Sequence, residues 1–404
     1  DWYGPYWGFE HVEFTSGHAT KPLAHYGKWY HEHGGKDEWA VAKPVEGFDA
    51  CPVTTMPENL HDSMFVGERA AAYISEHANG DQPFFLTASF PDPHHPFNPP
   101  LETALRYKDV PVKMPVNEDD DLHTRPRHYH YHQYGVWHRA GLLHPLPDMP
   151  EEDKEKCGKC ADQIAQFMDE KILQGLGLLT HGDSSGEEYK PSVLSAHERD
   201  QRIRNTYAMV DLIDKGVGKI LDALKKSGAL EDTVIIFTAD HGELMGDHRL
   251  WLKGPFFYDG LVNVPLMMHT PEDNASVTEA LASSVDIYPT CCELLGVPTP
   301  RSCDGMSQAA ALRGEKVRTE CLFEYRNGYF ENDVYTLGYV DEKYKFIQYQ
   351  NGDVEMTDRI NDPEENVNIV YNGANPELLA EYRNKLLNMM LNTASKFPEQ
   401  YCHA

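Results

Sequence analysis

The chain is predicted to be an α/β protein, a mainly parallel sheet sandwiched by helices, followed by a small antiparallel α+β module. Three observations carry this expectation. Two near-continuous apolar runs, residues 83–90 and 233–238, read as strands buried on both faces. A long amphipathic helical pattern leads into the second run through a short turn, the order found in a βαβ unit. Beyond about residue 320 the texture changes to short strands with a hairpin turn signal.

Taken in order, the first 80 residues are rich in Gly, His and Trp and show little periodicity. Residues 60–79 read as an amphipathic helix stopped by Asn79-Gly80-Asp81. Pro83-Phe84-Phe85-Leu86-Thr87-Ala88-Ser89-Phe90 is the first predicted strand. Residues 91–150, dense in Pro and His, read as a long irregular excursion of the functional kind. In residues 196–228, Ile203, Tyr207, Val210, Ile213, Val217, Ile220, Leu221 and Leu224 keep helical spacing, and Ser227-Gly228 ends the helix. Thr233 to Thr238 is the second strand, Val264 to Met268 a third, and Val285 to Leu295 a short helix ending at Gly296. Strands are then expected at 322–325, 334–337, 344–349 and 353–356, with Asn351-Gly352 turning the last pair, and a closing helix at 376–395. The domain division expected is 1–315 for the main α/β part and 316–404 for the C-terminal subdomain.

The 404 residues carry 36 Lys and Arg against 64 Asp and Glu, a formal net charge of −28. Such a balance argues against nucleic acid as a partner, which needs a basic surface. It also means that any polyanionic substrate needs a locally basic pocket. No run approaches the length and apolarity of a membrane span. The opening Asp1-Trp2-Tyr3-Gly4-Pro5-Tyr6-Trp7 is neither a signal nor a transit peptide, and further sequence is expected upstream of Asp1. Eight Cys are too few for a disulfide scaffold. Cys157 and Cys160 have the spacing of a zinc knuckle or redox pair, but no second C-x-x-C follows, so ordinary thiols or a local disulfide are the favoured reading.

Two segments concentrate chemistry. Thr238-Ala239-Asp240-His241-Gly242-Glu243, with Gly246-Asp247-His248 and Lys253-Gly254 behind it, lies just past the carboxyl end of a predicted strand, where open α/β sheets place ligands. Asp240 and His241 offer an oxygen and a nitrogen to a divalent ion, and Lys253 a point charge to an anion. Taken alone, the same residues read as a polar turn with a surface His. Phe90-Pro91-Asp92-Pro93-His94-His95-Pro96-Phe97 holds two imidazoles on a Pro-stiffened segment, which suits a general acid. Taken alone, His94 reads as a loop side chain bonded to backbone.

Together these segments resemble the sulfatase family of the alkaline phosphatase superfamily. The resemblance runs through SFPDPHHPF, through residues 205–268 with the DHGE turn and Lys253, through SSVDIYPTCCELLGV with Asp304-Gly305-Met306-Ser307, and through NDPEENVNIV. It implies a sulfuric ester hydrolase in which Asp240 and His241 are metal ligands, Lys253 binds sulfate oxygens and His94 protonates the leaving alcohol. His248 would sit nearby as a substrate-binding residue. The cofactor implied is a divalent metal, Ca²⁺ before Mn²⁺ or Mg²⁺, together with a formylglycine nucleophile. The substrate would be a small-molecule or saccharide sulfate ester, and the location periplasmic or extracellular.

The family's nucleophile pattern, C/S-x-P-x-R, is absent from the 404 residues. Cys51-Pro52-Val53-Thr54 misplaces the Pro, and Thr124-Arg125-Pro126-Arg127-His128 has His where Arg belongs. Asp119-Asp120-Asp121 sits in the wrong segment for the family's amino-terminal Asp pair, and Gly27-Lys28-Trp29-Tyr30 reads as a helix start. The nucleophile and further metal ligands are therefore expected upstream of residue 1. A sheet without its first strands needs cover, which predicts a partner chain or a homo-oligomer. Two other readings stand beside this one: a phosphonate or phosphate-ester hydrolase of the same superfamily, and a catalytically incomplete anion-binding remnant.

Overall fold

The computed structural model describes residues 3–16, 20–117, 125–126, 129, 195–271, 276–327 and 334–394. Cys157, Cys160, the Asp119–Asp121 run and Asn274 lie outside the described residues. The chain divides into two compact units; among described residues, those up to Met114 and 195–233 form the first, and those from Pro115 to Tyr129 and from Val234 onward form the second.

The first unit is built on two helices, α3 (Asp62–His77) and α5 (Ala196–Ser227). Smaller elements accompany them: α1 (Ala24–Glu32), α2 (Asp37–Ala40), the antiparallel pair β1 (Lys43–Val45) and β2 (Phe48–Val53), and α4 (Leu101–Tyr107). Helix α5 starts on a full capping box: Ser195 Oγ accepts from the Glu198 N–H at 3.2 Å, and the Ser195 N–H donates to Glu198 Oε2 at 2.9 Å. It ends at Gly228, whose φ of 75° is a left-handed cap. The two helices touch at Gly67 and Gly216; a Cβ on Gly67 would lie 2.7 Å from the Gly216 backbone, so only glycine permits this approach. Tyr30 is fully buried against Tyr26 and the α1 core, and its hydroxyl donates to the Lys36 carbonyl at 2.8 Å, which accounts for it as packing.

A polar face of α5 does the anchoring. Gln201 Nε2 donates to the Gly47 carbonyl at 2.9 Å and its Oε1 accepts from the Cys51 N–H. Asn205, 0% exposed, donates to the Phe97 carbonyl at 2.9 Å. These bonds satisfy loop and edge backbone that would otherwise be buried without partners. Further along, Glu58 gathers Thr103 Oγ1 at 2.8 Å, Arg106 Nη2 at 2.6 Å and the Lys215 ammonium, while Arg106 also reaches Asp211 at 2.6 Å. Burial raises the Glu58 pKa, but the bonds from Lys215, Arg106 and Thr103 outweigh it and hold the carboxyl down to about 2. Its folded pKa thus lies below the unfolded value of about 4.3, so the stabilisation is present above that pH and is lost as pH falls toward 2. Glu58→Gln is expected to cost about 1 kcal/mol at pH 7 after solvent screening. Thermal melts of both proteins should converge between about pH 4.3 and 2, and a constant gap over that range would refute the brace.

In the second unit, β3 (Ile235–Thr238) pairs antiparallel with β4 (Leu266–His269), Ile235 opposite His269 and Thr238 opposite Leu266. Between them lie the DHGE turn and α6 (Asp259–Val262), and after them α7 (Ile287–Leu294). A four-stranded antiparallel meander follows, β5 (Glu320–Asn327), β6 (Val334–Asp341), β7 (Tyr344–Tyr349) and β8 (Val354–Asp358), closed by α8 (Pro376–Ala394). Tyr339, Phe346, Met356, Tyr382 and Leu386 form the core between that sheet and α8.

The expected α/β class and its antiparallel C-terminal subdomain stand, and the pairing of the described strands adds a finding. Among the described residues every ladder between strands is antiparallel, with a single parallel bridge between Thr54 and Pro100. The run 83–90 is extended with alternating exposure but has no ladder, and Phe85 is 66% exposed. The run 235–238 finds its partner in β4, because the turns after Asp240 reverse the chain direction. Apolarity identified extended segments; it did not identify their neighbours.

Candidate active site

The DHGE turn follows β3 directly. Gly242 donates its N–H to the Leu261 carbonyl at 2.7 Å, and a Cβ there would stand 2.1 Å from the Gly260 carbonyl oxygen. Glycine is therefore required where the turn crosses the start of α6. Gly242→Ala should displace the turn and lower thermal stability by several degrees, and an unchanged melt would contradict the close approach. Leu244, Leu250, Phe256, Phe257, Tyr258 and Leu261 pack beneath with Tyr129, Ile347 and Tyr349, so the turn stands on the second unit's core.

On this base the Asp240 carboxylate projects outward, its side chain 87% exposed, and its Oδ1 accepts from the His241 N–H at 2.9 Å. The His241 ring is about a third exposed; its Nε2 lies 3.6 Å from Asp240 Oδ2, and its Nδ1 lies 2.7 Å from the Gly242 carbonyl oxygen. An oxygen and a nitrogen donor thus stand side by side and open, as a divalent cation requires. Lys253 is half-buried; burial lowers its pKa while Glu243 and Asp240 hold it up. Glu243 responds in the opposite sense: burial raises its carboxyl to about 7, against the attraction of Lys253 and a bond from the Leu244 N–H. Glu243 Oε1 is buried without a hydrogen bond. Sequence reasoning passed over this residue, although a carboxylate two positions after His241 was the available signal.

His248, expected near the substrate, is 3% exposed. Its ring lies flat on Tyr258, centroids 3.8 Å apart and planes 9° from parallel, and its N–H donates to the Val116 carbonyl at 2.7 Å. At this burial it supports the turn from beneath.

His94 belongs to the first unit. Its Nδ1 lies 2.6 Å from the His95 carbonyl oxygen, the two rings are 3.9 Å apart, and the ring is part-exposed. The segment is held at its far end by Asn205, through the Phe97 carbonyl. The structure brings Asp240, His241, Glu243 and Lys253 together in one turn, with His94 on a separate rigid segment.

The remaining motifs are structural hubs of the second unit. Asp286, 1% exposed, binds Arg318 through two contacts, one of them Nε to Oδ2 at 2.7 Å, and accepts from the Met306 N–H at 2.8 Å and Gln308 Nε2 at 2.9 Å. Glu365 joins Lys345 at 2.6 Å and the Asp259 N–H at 2.7 Å, tying β7 to the start of α6. Among the described cysteines, Cys51, Cys291, Cys292 and Cys321 are free thiols. Among the described residues no helix is long and apolar enough to cross a membrane.

The sulfatase family model matches residues 17–297, and the model described as N-sulphoglucosamine sulphohydrolase, C-terminal, matches residues 246–392. The chain belongs to the sulfatase family, within the alkaline phosphatase superfamily. Among curated relatives it is similar to the uncharacterized sulfatase YidJ of Escherichia coli, at 24% identity over 83% of this chain and 56% of that protein. It is also similar to a delta 4,5-hexuronate-2-O-sulfatase of Bacteroides thetaiotaomicron, at 26% identity over 93% of this chain and 68% of that protein. Among solved structures, the phosphonate monoester hydrolase of Agrobacterium radiobacter superposes with a TM-score of 0.63 at 23% identity, covering 91% of this chain and 68% of that one. That likeness establishes the alkaline phosphatase-like fold. The chain thus spans little more than half the length of YidJ.

Proposed function

We propose that the protein hydrolyses a sulfate ester, with an organic or carbohydrate sulfate as substrate. The observation that carries this reading is the turn that sets the open donors Asp240 and His241 beside half-buried Lys253, in a chain of the sulfatase family. Asp240 and His241 would hold a divalent metal, Ca²⁺ before Mn²⁺ or Mg²⁺, and Glu243 Oε1 lies in the same turn as a buried, unbonded oxygen. The ion, when bound, supplies Lewis-acid stabilisation of charge on the sulfate oxygens. Lys253 adds a cation beside the same oxygens, and its partial burial strengthens that attraction. The family resemblance gives His94 the role of proton donor to the leaving alcohol. The nucleophile, a formylglycine by the family resemblance, is supplied from outside residues 1–404, which contain no C/S-x-P-x-R. The saccharide preference is supported by the name of the hexuronate sulfatase relative.

A second reading, hydrolysis of a phosphonate or phosphate monoester, is favoured by the superposition on the phosphonate monoester hydrolase. Steady-state kinetics of the full-length protein on a 2-O-sulfated uronate, an aryl sulfate and an aryl phosphonate separate the two. The sulfate reading expects the highest kcat/KM on a sulfate; a higher value on the phosphonate replaces it with the second reading. No turnover of any of the three leaves the anion-binding remnant.

A further inference from the structure

His61 precedes α3, Asp62 is the first residue of that helix, and Asp92 lies on the segment that carries His94. The three are 1%, 0% and 6% exposed. One ligand atom from each lies within 4.8 Å of the other two. His61 Nδ1 is 3.0 Å from Asp62 Oδ1 and 3.6 Å from Asp92 Oδ2. Neither Asp62 oxygen makes a hydrogen bond, although the residue is fully buried. An ionised carboxylate in that state demands a cation; among the described residues only the His61 ring stands beside it, and a divalent ion would take the place of that ring's proton.

Two details select the kind of cation. His61 Nδ1 accepts a long bond from the Ser63 N–H at 3.3 Å, which marks it as the unprotonated nitrogen of a neutral ring, and a metal ion would compete with that bond for its lone pair. With His61 neutral, two carboxylates leave a double negative charge for one divalent ion to balance. Donors bound to a single tetrahedral ion at about 2.1 Å stand roughly 3.4 Å apart, close to the two spacings observed. One nitrogen and two carboxylates are too few and too nitrogenous for calcium, which takes about 6–8 oxygens. The Ser63 hydroxyl, donating to Asp92 Oδ2 at 3.1 Å, orients that carboxylate as an outer-shell partner does.

We propose that His61, Asp62 and Asp92 form a second divalent-metal site, structural and of zinc type, separate from Asp240 and His241. The ion would clip the start of α3 to the Pro91–His94 segment across 30 residues of chain and so fix the backbone beneath His94. This inference does not depend on the sulfate-ester reading.

The test uses full-length protein carrying Asp240→Ala and His241→Ala, which removes the other donors. After loading with zinc and exhaustive dialysis, elemental analysis is expected to find one additional equivalent of zinc that disappears when Asp62→Asn is added, and EDTA is expected to lower the melting temperature of the parent double variant. Zinc contents that do not differ between the two proteins would overturn the proposal. Should the Asp62→Asn protein fail to fold, Co²⁺ titration of the double variant decides: a visible absorption band saturating at one equivalent and competed by zinc supports the site, and a featureless spectrum overturns it.

Discussion

Asp240→Ala or Lys253→Ala in the full-length protein is expected to lower kcat on an aryl sulfate by about 10²–10³, the usual cost of removing one preorganised charge-stabilising group. Asp240 stands at the open end of the turn with its side chain 87% exposed, and among described contacts it supports only the His241 N–H and ring. Its removal should therefore leave stability within about 0.5 kcal/mol. Lys253 is more embedded. Deleting it leaves Glu243 without the cation that opposes its protonation, so Glu243 should stay neutral to higher pH in that variant. The pairing of lost rate with an unchanged melt for Asp240→Ala distinguishes a site residue from a structural one. A normal rate in that variant would remove Asp240 from the metal site.

Asp286→Ala should show the reverse pattern. The Asp286 carboxylate is buried with the Arg318 guanidinium, and it also accepts from the Met306 N–H and Gln308. Removing it leaves a buried guanidinium without its carboxylate and takes the acceptor from three donors, the Ser283 and Met306 N–H groups and Gln308 Nε2, and a broken buried pair costs about 3–5 kcal/mol. Replacing both partners, as Asp286→Leu with Arg318→Met, should recover a large part of that loss, because the uncompensated charge goes with them. Denaturant unfolding of the three variants measures this. A double variant no more stable than Asp286→Ala would show that packing, not the unpaired guanidinium, sets the cost.

These two carboxylates mark how differently sequence patterns can be read. Asp240 and Asp286 both stand in short motifs, yet one is open and the other is the hub of a hydrogen-bonded corner. Periodicity and caps exposed the long helix α5, since Ser195 and Gly228 are local signals of its ends. Hairpin chemistry exposed the C-terminal meander, where Gly352 turns with a φ of 95°. Pairing partners were hidden: β3 finds β4 through a reversal built from Gly242 and its neighbours, and no local pattern states that. The anchoring by Gln201 and Asn205 was hidden too, because polar residues on a helix read as solvent-facing until the backbone groups they satisfy are known. The resemblance placed His248 near the substrate; its burial and its stacking on Tyr258 were not legible in the sequence. The small helix α4 and the β1–β2 pair escaped because each is short, α4 follows Pro100, and the strands contain Pro44 and Pro52. The candidate site was legible as a motif, while Glu243 became visible only through its burial and its coupling to Lys253.

Turnover of an aryl sulfate by residues 1–404, measured beside the full-length protein under metal-saturated conditions, tests the division of labour most directly. On the proposed reading Asp240 and His241 hold the metal, Lys253 the anion and His94 the proton for the leaving group, while the 404 residues contain no C/S-x-P-x-R nucleophile. Covalent transfer cannot begin without the nucleophile. The expected result is turnover by the full-length protein and none by residues 1–404. Equal turnover by both would contradict the assignment, since the nucleophile would then lie within the 404 residues.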